Sequence, residues 1–507
     1  MINKRQLFKN SFSNYSAFLV SIIITLLITP FVLSRLGDEY YGYWSLIVAF
    51  TGYFGFLDFG VRAGVGQYIT RYLSTKDFTR YNDVVSTSLY SLLCISFVGI
   101  LVSFIVSFFF VDLFFNASMI NQSFRMSFFI VGVSISLKFP FVVFQSILNG
   151  IHRFDVTSFI AIICKLLNSF FVFLVLLNGF GILGLACVVL GTQLVEGFIM
   201  LLAARKYVPE TIIYPKFIKT VFKDITGYGF FSFWGNIADQ VSFYVGPLLI
   251  GKMLGAVAVT YYSVAANLVP YLASIAMAIS GPLRQLATGF DGRSEGEGNK
   301  VLFLQGTRYV FLLMCFICSN VFSAGEIFLG YWLSEKYISG LDFPSSGLVL
   351  KILIIGYLSY LSHTVGRQIL FGTRKNKCVA VSNTFVAIST VLLSLYLMDS
   401  NGILGCAIAL SISLFINNVF ILPYFSAKQT GVKIFNYYMY SISPGIICFL
   451  FSVLSVEYMF SNVDIDVGLF NLTKICVYNS LFFILPFIAL FYKDIMVVYS
   501  NYISSEK

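Results

Sequence analysis

The hexapeptide GILGLA, residues 181–186, recurs as GILGCA at residues 402–407. Two further pairs of stretches repeat in the same order at an offset of about 220 residues: SILNG (146–150) with QILFG (368–372), and LGDEYYGYWSL (36–46) with LGAVAVTYYSV (254–264). One short match would be weak, but three in the same order at a nearly constant offset indicate an internal repeat. The chain is therefore predicted to contain two copies of one structural unit.

The composition predicts an all-α polytopic membrane protein. The 507 residues are 58% hydrophobic and 11% charged, whereas soluble domains carry about 25% charged residues. Apolar runs long enough to cross a bilayer as a helix recur from end to end, and the short alternating segments of a β-barrel are not visible. We count about fourteen transmembrane helices: 12–34, 41–65, 84–111, 121–148, 155–178, 181–204, 225–250, 256–284, 300–322, 346–371, 377–398, 402–425, 437–459 and 468–492.

The distribution of cations predicts the orientation. With the N-terminus in the cytoplasm, about two thirds of the 33 Lys and Arg residues fall in cytoplasmic segments, and few fall outside. This asymmetry follows the positive-inside rule and places both termini in the cytoplasm. The net charge of +10 is therefore attributed to topology and anionic lipid headgroups, not to nucleic acid.

The repeat and the span count together predict the domain organisation. Six spans separate equivalent positions, and an even number preserves orientation, so the copies form a parallel repeat about an axis along the membrane normal. We predict an N-terminal six-helix lobe over 1–207, a C-terminal six-helix lobe over 208–427, and two additional transmembrane helices over 428–507. Two facing lobes would enclose a central cavity, and rocking them would give alternating access.

Several functional classes are disfavoured by the sequence. The loops are too short for an ATPase domain, and the nine Cys residues lie scattered without a CxxC pair, so no disulfide framework, metal site or cofactor is predicted. The segment GPLLIGKM (246–253) has the glycine and lysine spacing of a phosphate loop. Met253 stands there in place of the required Ser or Thr, and we interpret the match as chance.

Two charges lie inside the apolar stretch FGFLDFGVRAG, residues 54–64. Asp58 and Arg62 are four residues apart and would share one helix face. They either form a local ion pair, with Arg62 snorkelling to the interface, or line a cavity, since membrane charges usually face a bundle interior. The repeat pairs GVR (60–62) with GPLR (281–284), so Arg62 and Arg284 would both lie at the cytoplasmic mouth. Arginine suits bidentate phosphate binding.

The remaining intramembrane charges give the interior a cationic excess. Further candidate substrate-binding cations are Lys138, Lys165, Arg308 and Arg367. Buried acids are few, and three are candidates for coupling to a proton or sodium ion: Asp58, Asp239 and Glu196. A hydrogen-bonded structural role for Asp239 is an equally good interpretation. A cationic interior suits an anionic substrate.

The stretch PFVLSRLGDEYYGYWSLIVAFTGYFGFLDFGVRAGVGQYITRY (30–72) resembles the opening of polysaccharide transporters, the O-antigen flippases of the Wzx type. The features are Pro before an LG-x-x-x-YG-x-W turn and LDFG closing helix 2, and the G-I-L-G helix starts also fit. The resemblance covers about the first 425 residues. It implies the fold of a superfamily that includes the lipid II flippase and multidrug exporters, with two six-helix lobes in a V-shaped arrangement around a central cavity.

The resemblance also implies a substrate: an undecaprenyl-pyrophosphate-linked oligosaccharide, moved across the bacterial inner membrane from the cytoplasmic to the periplasmic leaflet. The pyrophosphate would occupy the cationic cavity, and the sugars would stack on Tyr53 and Tyr271. Polymerase and chain-length proteins would be partners. In the lipid II relative, cavity arginines lie on helices 1, 2 and 8. Arg62 and Arg284 match two of these regions only roughly, and helix 1 here is uncharged, which argues against lipid II itself.

Two other functions remain open at this point. A multidrug exporter of the same fold would prefer an anionic cavity for cationic drugs, which the cationic excess disfavours. A membrane-embedded glycan polymerase would need catalytic groups on a long outer loop, and the outer loops here are short. We therefore predict a transporter and not an enzyme.

Overall fold

The computed structural model describes the backbone of residues 4–58, 61–110, 121–214, 216–292, 296–340, 342–461 and 466–505. Within these ranges, the side chains of residues 4–12, 58, 62–63, 110, 227–230, 232 and 493–505 lie outside the description. The described part of the chain is almost entirely helical and contains no β-strand. It divides into two compact units, Met1–Thr260 (unit 1) and Tyr261–Lys507 (unit 2).

Unit 1 contains seven long helices, and an eighth crosses its boundary with unit 2. They are α1 (Lys4–Gly52), α2 (Val61–Ser74), α3 (Phe78–Ile105), α4 (Gln122–Gly150), α5 (Phe154–Leu177), α6 (Gly181–Tyr207), α7 (Lys219–Met253) and α8 (Ala256–Ala266). A 3₁₀ helix (Tyr53–Asp58) follows α1, and a π-helical turn (Val106–Phe110) continues α3.

Unit 2 continues with α9 (Val269–Gly292), α10 (Gly296–Val301), α11 (Thr307–Trp332), α12 (Ser346–Ser362), α13 (Thr364–Gly372), α14 (Asn376–Asn401), α15 (Ile403–Ile416), α16 (Leu422–Thr430), α17 (Ile434–Asn436), α18 (Ser443–Phe460) and α19 (Leu469–Ser505). Three π-helical segments lie between these helices, at Leu302–Gly306, Asn417–Ile421 and Tyr437–Ile442. A 3₁₀ helix spans Glu335–Tyr337.

Twelve stretches among the described residues are long and apolar enough to cross a membrane. The first, Ser13–Leu57, is 45 residues long, although about 20 residues suffice for one crossing. It contains the first predicted span and most of the second, and non-helical dihedrals at Gly37 (φ 74°, ψ 171°) interrupt it. Helix α7, which contains the seventh predicted span, is not among the twelve. The multi-pass helical class is confirmed, and the count of fourteen stays a prediction.

The backbone repeats where the sequence repeats. Gly181 and its equivalent Gly402 have φ values of 57° and 54°, a conformation that glycine adopts without steric cost. Residue 152 (His) and residue 374 (Arg) lie two positions after the other matched pair, SILNG and QILFG, and have φ values of 58° and 61°. Equivalent helices therefore end and begin with the same turns.

Unit 1 is held together by close helix packing around α4, which packs against α2, α3 and α6. Small residues allow this approach, as in glycine- and serine-rich membrane helix interfaces. A Cβ atom added to Gly132 on α4 would lie 2.4 Å from Ser103 Oγ on α3. Ser103 and Ser136 donate hydrogen bonds to carbonyls one turn earlier in their own helices, so their hydroxyls are satisfied inside the apolar interface.

The two predicted additional helices belong to unit 2. Helices α18 and α19 pack against each other, and both pack against α11. Ala324, Val456 and Ile475, one from each of the three helices, form a buried apolar cluster. Asn479 lies wholly buried beside it and donates to Ser319 Oγ (2.9 Å). Apolar packing and a buried hydrogen bond thereby hold helices α18 and α19 against α11.

Candidate functional site

A polar interior region of unit 2 surrounds a break between two helices. Helix α12 ends at Ser362 and α13 begins at Thr364, with His363 between them and fully buried. The His363 Nδ1 atom lies 3.1 Å from Tyr437 Oη, and Nε2 lies 2.8 Å from Ser426 Oγ. Tyr437 Oη donates to the Ser362 carbonyl (3.1 Å). Both ring nitrogens therefore have partners, and the ring bridges α16 and a π-helical segment.

Arg367 lies one turn after His363 and is buried, with 6% of its surface exposed. Its Nη2 donates to Asn418 Oδ1 (2.6 Å), and its Cζ lies 3.7 Å from the ring centroid of Tyr360. Among the described residues, no carboxylate forms an ion pair with Arg367. An amide oxygen and an aromatic face solvate the guanidinium, so its positive charge is retained inside the unit.

We call this group of side chains the polar core of unit 2; its members are Ser362, His363, Arg367, Asn418, Ser426 and Tyr437. Three π-helical segments meet around it. Phe303 of the first segment stacks on Tyr437 of the third, with centroids 4.8 Å apart and an interplanar angle of 2°. Asn418 belongs to the second. Single π-helical turns are rare in proteins, and those that exist often lie at functional sites. Three of them contribute to this region.

Two further predicted cations of unit 2 are Arg284, which contacts α13, and Arg308, which lies beside the third π-helical segment. Arg284 is exposed, donates from Nε to Gln368 Oε1 (3.1 Å), and places its Cζ 4.5 Å from the Phe371 centroid. Arg308 is buried, and its Cζ lies 4.4 Å from the Tyr440 centroid and 4.2 Å from that of Phe491. Gln368 and Phe371 are on α13, next to Arg367. Helix α13 therefore carries the buried Arg367 and also contacts the exposed Arg284.

Asn417 and Asn418 are functional candidates that the sequence reading did not select. Both are buried, and neither Nδ2 nor Oδ1 of Asn417 has a hydrogen-bond partner among the described residues. A buried amide without a hydrogen-bond partner costs free energy, and for this reason we count Asn417 as a functional candidate. The available signal was an Asn pair inside the apolar span 402–425.

In unit 1, the 3₁₀ helix after α1, which carries Tyr53, lies close to α7, which carries Asp239. Tyr53 is half-buried, and its ring centroid lies 6.2 Å from that of Tyr244 on α7. A Cβ atom on Gly55 would lie 2.6 Å from Gln240 Nε2, so α7 approaches the 3₁₀ helix closely. Asp239 precedes Gln240 and is half-buried.

The other predicted site residues are spread over unit 1 and α9. Lys138 on α4 is exposed, whereas the side chains of Lys165 on α5, Glu196 on α6 and Tyr271 on α9 are half-buried. The side chains of Asp58 and Arg62 lie outside the described residues. Within the described ranges, no group of three or more His, Cys, Asp or Glu side chains is placed to hold a metal ion.

Comparisons with known proteins agree with this fold. The chain is 23% identical over 414 residues to a Shigella flexneri protein named "Putative O-antigen transporter", covering 80% of this chain and 94% of that one. The lipid II flippase MurJ superposes with a TM-score of 0.67 at 14% identity, covering 96% and 99% of the two chains. A multidrug resistance MATE transporter of the MOP superfamily gives a TM-score of 0.64 at 15% identity, covering 82% and 98%.

The structural likenesses show that the chain has the fold shared by MurJ and MATE transporters, as the sequence resemblance implied. A family profile gives the more specific result, because it matches residues 7–282, more than half of the chain. The chain therefore belongs to the family described as polysaccharide biosynthesis protein.

Proposed function

We propose that this protein flips undecaprenyl-pyrophosphate-linked oligosaccharide repeat units, of the O-antigen or capsule type, across the bacterial inner membrane by alternating access. The family membership and the transporter homology support a flippase role. The lipid carrier, the membrane and the cytoplasmic position of both termini are part of the proposal.

The observation that carries the proposal is the buried charge of Arg367. A cation inside a membrane protein is costly unless it is paired or hydrated, yet Arg367 contacts a neutral amide and an aromatic ring. No carboxylate among the described residues neutralises it. The charge is therefore available to attract an anion, as a flippase of pyrophosphate-linked lipids requires. A cationic multidrug substrate would be repelled by the same charge.

The burial of the arginines suggests a division of roles. Arg284 is exposed and donates from Nε to Gln368, and its guanidinium is proposed to bind pyrophosphate oxygens in bidentate fashion. Arg367 is buried nearby along α13 and supplies a fixed positive potential. Arg62 is proposed as the counterpart of Arg284 in the first repeat, and Lys138, Lys165 and Arg308 as further contributors to the cationic path.

The remaining roles concern sugars, coupling and partners. Tyr53 and Tyr271 are half-buried and are proposed as stacking surfaces for sugar rings. Asp239, with Asp58 and Glu196 as alternatives, is proposed to bind the proton or sodium ion that drives the cycle. Polymerase and chain-length proteins would act on the exported unit.

The proposal is tested by complementing a deletion strain with wild type, Arg284→Ala and Arg62→Ala/Arg284→Ala. We expect the deletion to leave the lipid-linked unit on the cytoplasmic face. The single variant should lower surface glycan by about tenfold or more, because a phosphate contact is lost, and the double variant should abolish it.

Lys375→Ala is the matched control, since Lys375 is an exposed cation three residues beyond α13 with no proposed substrate contact. It should restore wild-type glycan at equal protein abundance. If the deletion instead leaves single units outside but unpolymerised, the protein acts in polymerisation and the flippase proposal is wrong.

A further inference from the structure

The segment that links α6 to α7, described over residues 208–214 and 216–218, forms a non-helical strap along α3. Its backbone is bound by polar side chains at the start of α3: Asn82 Nδ2 donates to the Glu210 carbonyl (3.1 Å), and Asn82 Oδ1 accepts from Ile212 N (3.0 Å). Ser86 Oγ accepts from Tyr214 N (3.0 Å) in the same way. The strap therefore has one fixed position on unit 1.

Side chains of the strap alternate between two directions. Thr211 lies 2.7 Å from Tyr81 Oη, and Ile213 packs against the buried apolar cluster of unit 1. The alternate side chains, Ile212 and Tyr214, are exposed by 49% and 45%. An extended chain sends successive side chains to opposite faces. One face of the strap is thus packed on α3, and the other presents large apolar groups outward.

Exposed cations flank the strap on both sides in the sequence. Residues 205–224 contain five of them, Arg205, Lys206, Lys216, Lys219 and Lys223, against two acids, Glu210 and Asp224. All seven are exposed. Lys216 pairs with Asp83 of α3 (3.6 Å), and none of the other four cations has an ion pair among the described residues. Lys219 and Lys223 are four residues apart at the start of α7 and share one helix face.

The depth of the strap in the membrane follows from its backbone. Non-helical backbone facing lipid does not occur in the hydrocarbon core, so in the predicted topology, where the strap joins the sixth and seventh spans, it lies at headgroup level. Aromatic and aliphatic groups are favourable there when cations flank them. We propose that the outward face of the strap, with Lys206, Lys219 and Lys223, is a binding surface for anionic phospholipid headgroups. In the predicted orientation these belong to the cytoplasmic leaflet.

The proposal is tested by lipid binding to the full-length protein in detergent micelles. Native mass spectrometry would count phosphatidylglycerol and phosphatidylcholine molecules of the same chain length retained by wild type and by Lys206→Gln/Lys219→Gln/Lys223→Gln. We expect wild type to prefer phosphatidylglycerol, and the triple variant to bind it at least about tenfold more weakly, because each cation near the surface attracts anionic lipid. Lys216 stays unchanged, so its pair with Asp83 continues to hold the strap.

The matched control is Lys375→Gln/Lys377→Gln/Lys428→Gln, which removes three exposed cations far from the strap in sequence. It should retain wild-type affinity for phosphatidylglycerol. Equal losses in both triple variants would mean that net charge alone attracts the lipid, and an unchanged affinity in the strap variant would equally overturn the proposal. If the triple variant fails to fold, Lys219→Gln and Lys223→Gln are measured singly and should each weaken binding by a few fold.

Discussion

Equivalent positions in the two repeats share a backbone but differ in chemistry. Extending the alignment of SILNG with QILFG pairs Phe141 with His363, and extending that of GILGLA with GILGCA pairs Gly197 with Asn418. In unit 1, Gly197 lies directly against Phe141, where an added Cβ would be 2.3 Å from Cδ2. In unit 2, Asn418 accepts a hydrogen bond from Arg367.

The two pairs of positions therefore make different kinds of contact. The glycine–phenylalanine contact in unit 1 gives dense apolar packing, which is the ordinary way to join membrane helices. The polar core of unit 2 holds a charge in the interior, which costs free energy and is usually functional. The same helix turns, with matching φ values at Gly181 and Gly402, therefore support a structural contact in one copy and a candidate site in the other.

Gly197→Asn would give unit 1 the residue of unit 2, and it should have the largest effect on stability. The new side chain collides with Phe141, so we expect a loss of about 1–3 kcal/mol in the free energy of unfolding from overpacking. Thermal unfolding in detergent would measure it. Phe141→Ala in the same chain makes room and should recover part of the loss; no loss in the single variant would refute the close contact.

His363→Phe is the reverse exchange, which gives unit 2 the residue of unit 1. It removes the hydrogen bonds of His363 to Tyr437 and Ser426, and we expect it to cost about 2 kcal/mol, near 1 kcal/mol for each bond. Glycan export should fall only as far as protein abundance falls. A normal Tm together with lost export would instead assign His363 a direct role in transport.

Arg367→Met separates function from stability. Arg367→Met leaves the buried Asn418 Oδ1 without its donor, so we expect a loss of only about 1–2 kcal/mol in the free energy of unfolding, with protein abundance measured beside export. Export should fall about tenfold, a change of about 1.4 kcal/mol, because the interior potential is lost. Arg367→Lys keeps the charge and should retain most of the export. Full activity of Arg367→Met would remove Arg367 from the proposed mechanism.

Lys138→Gln should have the smallest effect. Lys138 is exposed on α4, and surface substitutions usually change stability by less than about 0.5 kcal/mol. Its equivalent in unit 2 is Tyr360, which stacks on Arg367. Export by this variant, measured beside Arg367→Met, shows whether Lys138 belongs to the cationic path: a fall of a few fold is expected, and no change would remove Lys138 from it.

The sequence predicted the helical class, the family and the repeat because these depend on local patterns. Runs of apolar residues identify membrane helices, and the matched GILG and ILNG motifs coincide with matched turns at Gly181 and Gly402. Their physical basis lies within a few residues, so no tertiary information was needed.

The polar core and the strap could not be predicted in the same way. Arg367 was selected for its charge, but its partners Asn418 and Tyr360 depend on how α13 packs against α12 and a π-helical segment. The strap is held by Asn82 and Ser86, which lie 128 or more residues earlier in the chain. Contacts over such separations leave no short-range pattern in a single sequence.

The central claim is that this protein moves a lipid-linked oligosaccharide between leaflets through a cationic site that includes Arg284. The most direct test places wild type, Arg284→Ala and Lys375→Ala in liposomes containing a fluorescent undecaprenyl-pyrophosphate-linked oligosaccharide, and measures how much becomes accessible to a membrane-impermeant quencher. The account predicts that wild type and Lys375→Ala expose the inner-leaflet pool, whereas Arg284→Ala exposes it at least about tenfold more slowly. Two results would contradict the account. Wild-type protein could leave the inner pool as well protected as it is in empty liposomes, or Arg284→Ala could transport as fast as wild type.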